Sequence, residues 1–342
     1  MRLYLIIILS IITLSCNNKK QELNLLSQDR AYNGPIIDMH IHVDKPEDLP
    51  PFSLSLCPPF SNLIEHFDPI NEFEDVWNEK FNNPDCENPL VSPKSYQDYQ
   101  QRIEKQLKQN KVIAVASGAF EDIVKWKLEY PKQIIPSLEF RIGRDSISPE
   151  QMKTILIDND IKVIGEISNQ YFGIAPNDPR MFPYYKMAEE LDIPVAIHLG
   201  SGIPGTPYMG YPKYEAKLSN PLLLEDVLKR YPKLRVSIMH YGEPFIDELI
   251  TMLYHYPQVY VDIGGIQWAY PKEYFYEYHL KKIVVAGFGK RIMYGSDMII
   301  WPELIEHSIN IINDAPFLSY EQKADIFYNN ASRFLRLNPR QN

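Results

Sequence analysis

The chain has 342 residues, 45% of them hydrophobic and 23% charged, enough apolar material for one large α/β domain with an extensive core. Its net charge of −9 makes it poorly suited to nucleic acid, whose phosphates demand a basic surface. No internal repeat or low-complexity block interrupts it.

The first segment differs in kind from the rest. Met1-Arg2 precedes an apolar stretch from Leu3 to Leu14, which reads as a secretory signal over residues 1–15, too short to span a bilayer permanently. It ends in Thr13-Leu14-Ser15-Cys16, which resembles the lipobox of bacterial lipoproteins and implies lipidation of Cys16, with an ordinary signal peptide as the alternative. Cleavage there removes Arg2 and brings the net charge to −10. Residues 16–34, polar and without periodicity, read as a tether. The expected location is extracytoplasmic, held to a bacterial membrane by a lipid anchor.

From Pro35 onward, apolar strands alternate with amphipathic helices. Strands are expected at 36–41, 111–116, 133–138, 161–167, 193–198, 234–239, 258–262 and 291–295. Helices are expected near 96–109, 119–129, 148–157, 179–191, 221–230, 243–255 and 271–286. Eight strands, each followed by a helix, predict an α/β fold of the (β/α)8 TIM-barrel type over 35–342. Two extra C-terminal helices, near 300–314 and 319–336, should close it. The first βα loop, residues 43–95, is unusually long. Rich in proline and carrying Phe52, Phe60, Phe67 and Trp77, it is too apolar for a free linker and should fold over the barrel mouth as a lid or partner surface. It also holds Cys57 and Cys86, an even pair in an exported chain, which permits one disulfide; two buried thiols are the alternative.

Four of the eight histidines stand at strand ends. Alternate residues of a strand point the same way, so His40 and His42 in Ile36-Ile37-Asp38-Met39-His40-Ile41-His42 project to one side, about 7 Å apart along the strand. Glu166 ends the fourth strand, His198 the fifth and His240 the sixth, and Asp297 follows the eighth. Catalytic groups of such barrels sit at the carboxyl ends of the strands, so all six pass that filter. Imidazoles with one carboxylate suit a divalent ion, most readily zinc. His66, His255, His279 and His307 fall in loops or helices, where packing or solvation is the better reading.

Asp38-x-His40-x-His42, His198, His240-Tyr241-Gly242, Tyr294-Gly295-Ser296-Asp297 and the tail Asn330-Ala331-x-Arg333-x-Leu335 together resemble the amidohydrolase superfamily. The branch most similar is the amidohydrolase-2 group, which includes aminocarboxymuconate semialdehyde decarboxylase and related lactonases. The resemblance implies that His40, His42, His198 and Asp297 bind the metal, with His240 catalytic beside it. Asp297 would take the proton from the attacking water, and His240 would polarise the carbonyl. Many relatives place a carboxylated lysine at the end of strand four, where this chain has Glu166. A glutamate there resembles the bridging carboxylate of relatives in which His198 and His240 hold a second ion, so one or two ions are expected; its other reading is a hydrogen bond to a ligating histidine or to substrate.

Arg141 and Arg144, just past the third strand, are candidate clamps for a substrate carboxylate. The loop from Gly200 to Tyr211, with Trp268, Tyr270 and Trp301, should wall the pocket mouth, and Asp262 should orient nearby groups or serve structure alone. The expected function is hydrolysis of an amide, ester or lactone in a small molecule by metal-activated water. The competing reading is non-oxidative decarboxylation of an aromatic or unsaturated acid. Two arginines converging on the metal would favour decarboxylation, and a bridging Glu166 would favour hydrolysis. A non-catalytic surface binding lipoprotein should lack a metal ligand, and none is missing. Expected partners are a small-molecule substrate and, through the anchor, a membrane; self-association as a homo-oligomer is left open.

Overall fold

A computed structural model describes residues 31–43, 53–61 and 63–337. The signal segment, Cys16 and the tether up to residue 30 lie outside the described residues, as does part of the first loop. Eight parallel strands follow one another around the sheet in sequence order: β1 Ile36–His42, β2 Val112–Gly118, β3 Ile134–Leu138, β4 Val163–Ile167, β5 Val195–His198, β6 Val236–Met239, β7 Val259–Asp262 and β8 Ile292–Met293. The seam between β8 and β1 is closed by two backbone hydrogen bonds, Met39 N–H to the Tyr294 carbonyl at 2.9 Å and Asp297 N–H to the His40 carbonyl at 2.9 Å. The expected (β/α)8 barrel is the fold observed.

The inner faces of the strands form their own core. Ile37, Met39, Val115, Val163, Ala196, Met239 and Met293 pack together and are met from below by Ala331 and Phe334 of the last helix, Asn330–Phe334. The C-terminal extension therefore plugs the barrel floor, and apolar residues on the strands' other faces pack against the surrounding helices. Helix starts follow local chemistry. Ser95 caps Tyr96–Gln109 by accepting the Asp98 N–H. Ser148 with Gln151, and Ser319 with Gln322, form reciprocal capping boxes, the first with Pro149 at the opening helical position.

Several boundaries differ from expectation for identifiable reasons. The eighth strand is shorter than 291–295 because the Tyr294 N–H turns to the Ile326 carbonyl. The helix expected from 243 starts at Ile246, since Pro244 and a left-handed turn through Tyr241 and Gly242 intervene. The helix expected over 271–286 is broken at Phe275–Leu280 by a wider π turn. No helix among the described residues is long and apolar enough to cross a membrane.

The first loop has structure of its own. Ser55–Leu56 pairs antiparallel with Leu90–Val91, a helix spans Phe73–Asn82, and Cys57 is disulfide-bonded to Cys86. Phe60 stands edge-on to both Trp77 and Trp268, at 5.4 and 5.9 Å between ring centroids. The loop is thereby packed onto the catalytic end of the barrel.

Candidate metal centre

Two irregularities in the sheet aim the central side chains. The pairing of β1 with β2 slips between Asp38 and Ile41, and that of β4 with β5 slips between Ile164 and Ile167. Bulges of this kind re-aim a side chain without ending the strand, and here they carry His40 and Glu166. At the second bulge the Gly165 carbonyl accepts from the hydroxyls of Ser117 and Ser137. A Cβ at Gly165 would lie 2.7 Å from the Ala196 carbonyl oxygen, so only glycine allows β5 this close.

Glu166 stands at the centre. Its Oε1 is 2.6 Å from His198 Nδ1, 3.3 Å from His240 Nε2 and 4.0 Å from His40 Nε2, and its Oε2 is 3.7 Å from His42 Nε2. Asp297 approaches from the other side, with Oδ1 at 3.2 Å from His42 Nε2 and 3.6 Å from His40 Nε2. Three sets of donor atoms lie within 4.8 Å of one another: His40, His240 and Asp297; His40, His42 and Glu166; and Glu166, His198 and His240.

Electrostatics distinguish these groups. Burial pushes the Glu166 carboxyl up, but the charge and hydrogen bonds of His198 and His240 outweigh it and hold Glu166 well below the usual carboxylate range. Asp297 is lowered likewise, its burial overcome by His40, His42 and His240. His240 is desolvated, which disfavours its charge, yet the hydrogen bond to Glu166 and the Asp297 carboxylate raise it to about 9. His198 moves down through burial and the neighbouring His240. Asp38, buried beneath His40, is raised to about 7 by desolvation although its Oδ1 accepts the N–H groups of His40 and Ser296.

The donor set fits a divalent cation. His40 is 1% exposed, and neither ring nitrogen has a hydrogen-bond partner among the described residues; His198 Nε2 is also without one. Buried polar atoms are seldom left unpaired. Two ionised carboxylates facing imidazole nitrogens at these separations are what zinc-type ions take as ligands.

Asp262, at the end of β7, organises the floor of this cluster. Its Oδ1 accepts the N–H of Gly264 at 2.9 Å and of His240 at 3.3 Å, and lies 3.6 Å from His40 Nδ1. The Gly264 carbonyl in turn faces His240 Nδ1 at 2.8 Å. A carbonyl can only accept, so Nδ1 carries the proton and Nε2 is left to face the cluster. Gly264 is required here, since a Cβ would stand 2.5 Å from His40 Nδ1. Asp262 thus orients backbone groups, one of the two roles expected of it.

The cluster opens into a cavity of about 390 Å³ lined by His42, Glu166, His198, His240 and Asp297 together with Arg141, Phe60, Tyr171, Ile266, Trp268 and Ile299. All six expected ligand or catalytic residues are brought together at the barrel mouth. The arginines are not. Arg141 borders the cavity but is engaged, its guanidinium 2.6 Å from Glu139 Oε1 and its Nε 2.6 Å from the Ser168 hydroxyl. Arg144 is turned away, paired with Asp145 at 2.8 Å and Glu139 at 3.3 Å. Of the expected aromatic wall, Trp268 lines the cavity, with Ser201, Gly202, Ile203 and Tyr211 of the 200–211 loop. Tyr270 instead donates to Glu243, which also holds His279, and Trp301 stacks on Phe81. Sequence reasoning missed Ser168 and Tyr171, the latter with its ring 5.0 Å from that of His198. Their place just after a strand that ends in a candidate ligand was the available signal.

Comparison with known proteins agrees with this geometry. A family model described as amidohydrolase matches residues 37–337. Among solved structures, an uncharacterised TIM-barrel protein from Bordetella bronchiseptica superposes with a TM-score of 0.59 at 16% identity, covering 89% of this chain and 99% of that one. A probable 2-pyrone-4,6-dicarboxylic acid hydrolase from Acinetobacter baumannii, with citric acid bound, gives 0.57 at 15% identity over 89% and 100%. The 5-carboxyvanillate decarboxylase of Sphingomonas paucimobilis gives 0.56 at 13% over 88% and 99%. At such identities these likenesses speak for the fold alone. No curated protein matches. With the family model spanning nearly the whole barrel and the histidine and carboxylate cluster in place, the chain belongs to the amidohydrolase family, in its amidohydrolase-2 group.

Proposed function

We propose that the protein is a metal-dependent hydrolase of a carbonyl-type bond, an ester, lactone or amide, in a small molecule. The observation that carries this reading is Glu166, whose two oxygens lie 2.6 to 4.0 Å from all four strand-end histidines. A carboxylate so placed suits a bridge between two cations, one on the His40, His42 and Asp297 side and one on the His198 and His240 side. Divalent ions there, zinc being the best match to the donors, would supply Lewis acidity and an activated water.

The chain's own groups divide the remaining work. Asp297 is held ionised and faces the cavity, so it can accept the proton of the attacking water and return it to the leaving group. His240 keeps one proton on Nδ1 against Gly264, which leaves Nε2 to ligate a cation on its side or, where that position is empty, to exchange a proton with the reacting group. Phe60, Ile266, Trp268 and Ile299 exclude water and offer a flat apolar wall to an acyl group.

Decarboxylation would draw on cations that grip a carboxylate. Arg141 is already engaged by Glu139 and Ser168, and Arg144 does not reach the cavity, which favours hydrolysis. The test is a paired screen of protein loaded with zinc, manganese or cobalt. Esters, lactones and amides are followed by acid release, and aromatic and unsaturated acids by carbon dioxide release. Acid release abolished by chelator supports the reading, and carbon dioxide release without acid release replaces it with the decarboxylase.

The same proposal places the enzyme outside the cytoplasm on a lipid anchor at Cys16. The signal-like residues 1–15 and the Cys57–Cys86 disulfide support this. Labelling with a fatty-acid analogue should mark the wild-type chain and not Cys16→Ser; equal labelling would remove the anchor.

A further inference from the structure

A second chamber of about 510 Å³ adjoins the metal cavity at His42 and Arg141, which line both. Its other walls come from the loops after β2 and β3, including Ser117, Ala119, Phe120, Glu139, Arg144 and Asp145. The two spaces differ in lining: outside its ligand cluster the metal cavity is walled mostly by aromatic and aliphatic side chains, whereas in the second chamber carboxylates and guanidiniums stand among the apolar residues.

Both guanidiniums of the second chamber are held by carboxylates, and Asp122 adds a third carboxylate to its wall. Glu139 Oε1 holds the guanidinium of Arg141 at 2.6 Å and that of Arg144 at 3.3 Å. Asp145 holds Arg144 Nε at 2.8 Å and accepts the Arg141 backbone N–H at 2.7 Å. An incoming anion would have to enter against the net negative charge of three carboxylates to two guanidiniums. A neutral hydroxyl group would not, because it can accept a remaining guanidinium N–H and donate to a spare carboxylate lone pair while the charge balance stays as it is. Phe120, Leu138 and Ile147 add apolar faces on which carbon–hydrogen surfaces can rest.

We propose that this chamber receives a neutral, hydroxyl-rich leaving group, a polyol or sugar, from a substrate whose acyl part lies in the metal cavity. This rests on the hydrolase reading and names its substrate class. In the reaction, the water oxygen bonds to the acyl carbon and the bond from that carbon to the polyol oxygen breaks. The polyol oxygen takes up a proton, and the products are a carboxylic acid and a free polyol. The shared wall at His42 puts the scissile bond where the two spaces meet.

The experiment compares methyl, glyceryl and glucosyl esters of one aromatic acid as substrates. Calorimetric titration of the full-length protein with methyl glucoside adds a readout free of catalysis. The expected result is a kcat/KM for the glyceryl or glucosyl ester at least about tenfold above the methyl ester, about 1.4 kcal/mol; which of the two leads identifies the group. Ala119→Trp, which fills the chamber, should bring that ratio toward one and abolish methyl glucoside binding. Arg144→Gln, an exposed position tolerant of change, should lower both and covers the case in which Ala119→Trp fails to fold. Ester hydrolysis with a ratio near one, and no glucoside binding, overturns the proposal while the hydrolase stands. Glucoside binding that Ala119→Trp removes, with no ester cleaved, upholds the chamber as a polyol site and removes the hydrolase reading. Neither binding nor cleavage overturns both.

Discussion

The two sides of Glu166 are unlike, although each offers histidines. On the β5 and β6 side, His198 Nδ1 and His240 Nε2 are both within hydrogen-bond reach of Glu166 itself, and His240 Nδ1 faces the Gly264 carbonyl. On the β1 and β8 side, His40 makes no hydrogen bond with either ring nitrogen among the described residues, and Asp297 supplies a second carboxylate. Each side keeps histidine nitrogen without a hydrogen-bond partner among the described residues, His198 Nε2 on the first and both nitrogens of His40 on the second, so the second carboxylate is the difference: Asp297 adds its charge to that of Glu166. The β1 and β8 side should therefore bind its ion first and more tightly.

The largest effect expected is that of removing the tighter half. His42→Ala or Asp297→Asn should lower both metal affinity and kcat by more than the 10–100-fold typical of a group acting through a ligand. An active His42→Ala would make the two sides equivalent or place the chemistry elsewhere. Next comes the bridge. Glu166→Gln keeps the shape but loses the charge, and activity should fall on the order of 100-fold, a loss typical for a group that moves or balances protons. Asp262→Asn should touch both sides, because Asp262 orients His240 through Gly264 and lies beside His40. Competition with a chelator should show metal affinity lowered by about 10–100-fold with little change in thermal unfolding; a large loss of thermal stability with unchanged affinity would make it purely structural.

The smallest effect on the metal centre belongs to the first βα loop. Replacing Cys57 and Cys86 together by serine should cost about 2–4 kcal/mol of stability, as the loop they close is of moderate length. Metal content should not change, since among the described residues no candidate ligand comes from this loop after residue 53. Metal lost with the disulfide would join loop and centre into one unit.

Much of this was legible before any coordinates. The alternation of apolar strands and amphipathic helices gave the barrel, and the strand-end filter selected His40, His42, Glu166, His198, His240 and Asp297, all of which meet. What could not be read was register. The bulges at His40 and Glu166 depend on how β1 and β4 slide against β2 and β5, a property of neighbouring strands that no single strand's period contains. Nor could Arg141 and Arg144 be parted by sequence. Three residues apart in a loop, they face different surroundings because Glu139 and Asp145 fold back onto them. Glu243 and His279, distant in sequence, form a buried pair for the same kind of reason.

The most direct test of a two-sided centre joined by Glu166 is metal content measured while chelator is raised stepwise, on the wild-type protein and on Glu166→Gln. Two separate losses are expected in the wild type, the later one belonging to the β1 and β8 side, and a single loss in the variant. One loss at the same chelator concentration in both proteins would contradict this, leaving Glu166 as a hydrogen-bond partner of His198 and the centre with one ion.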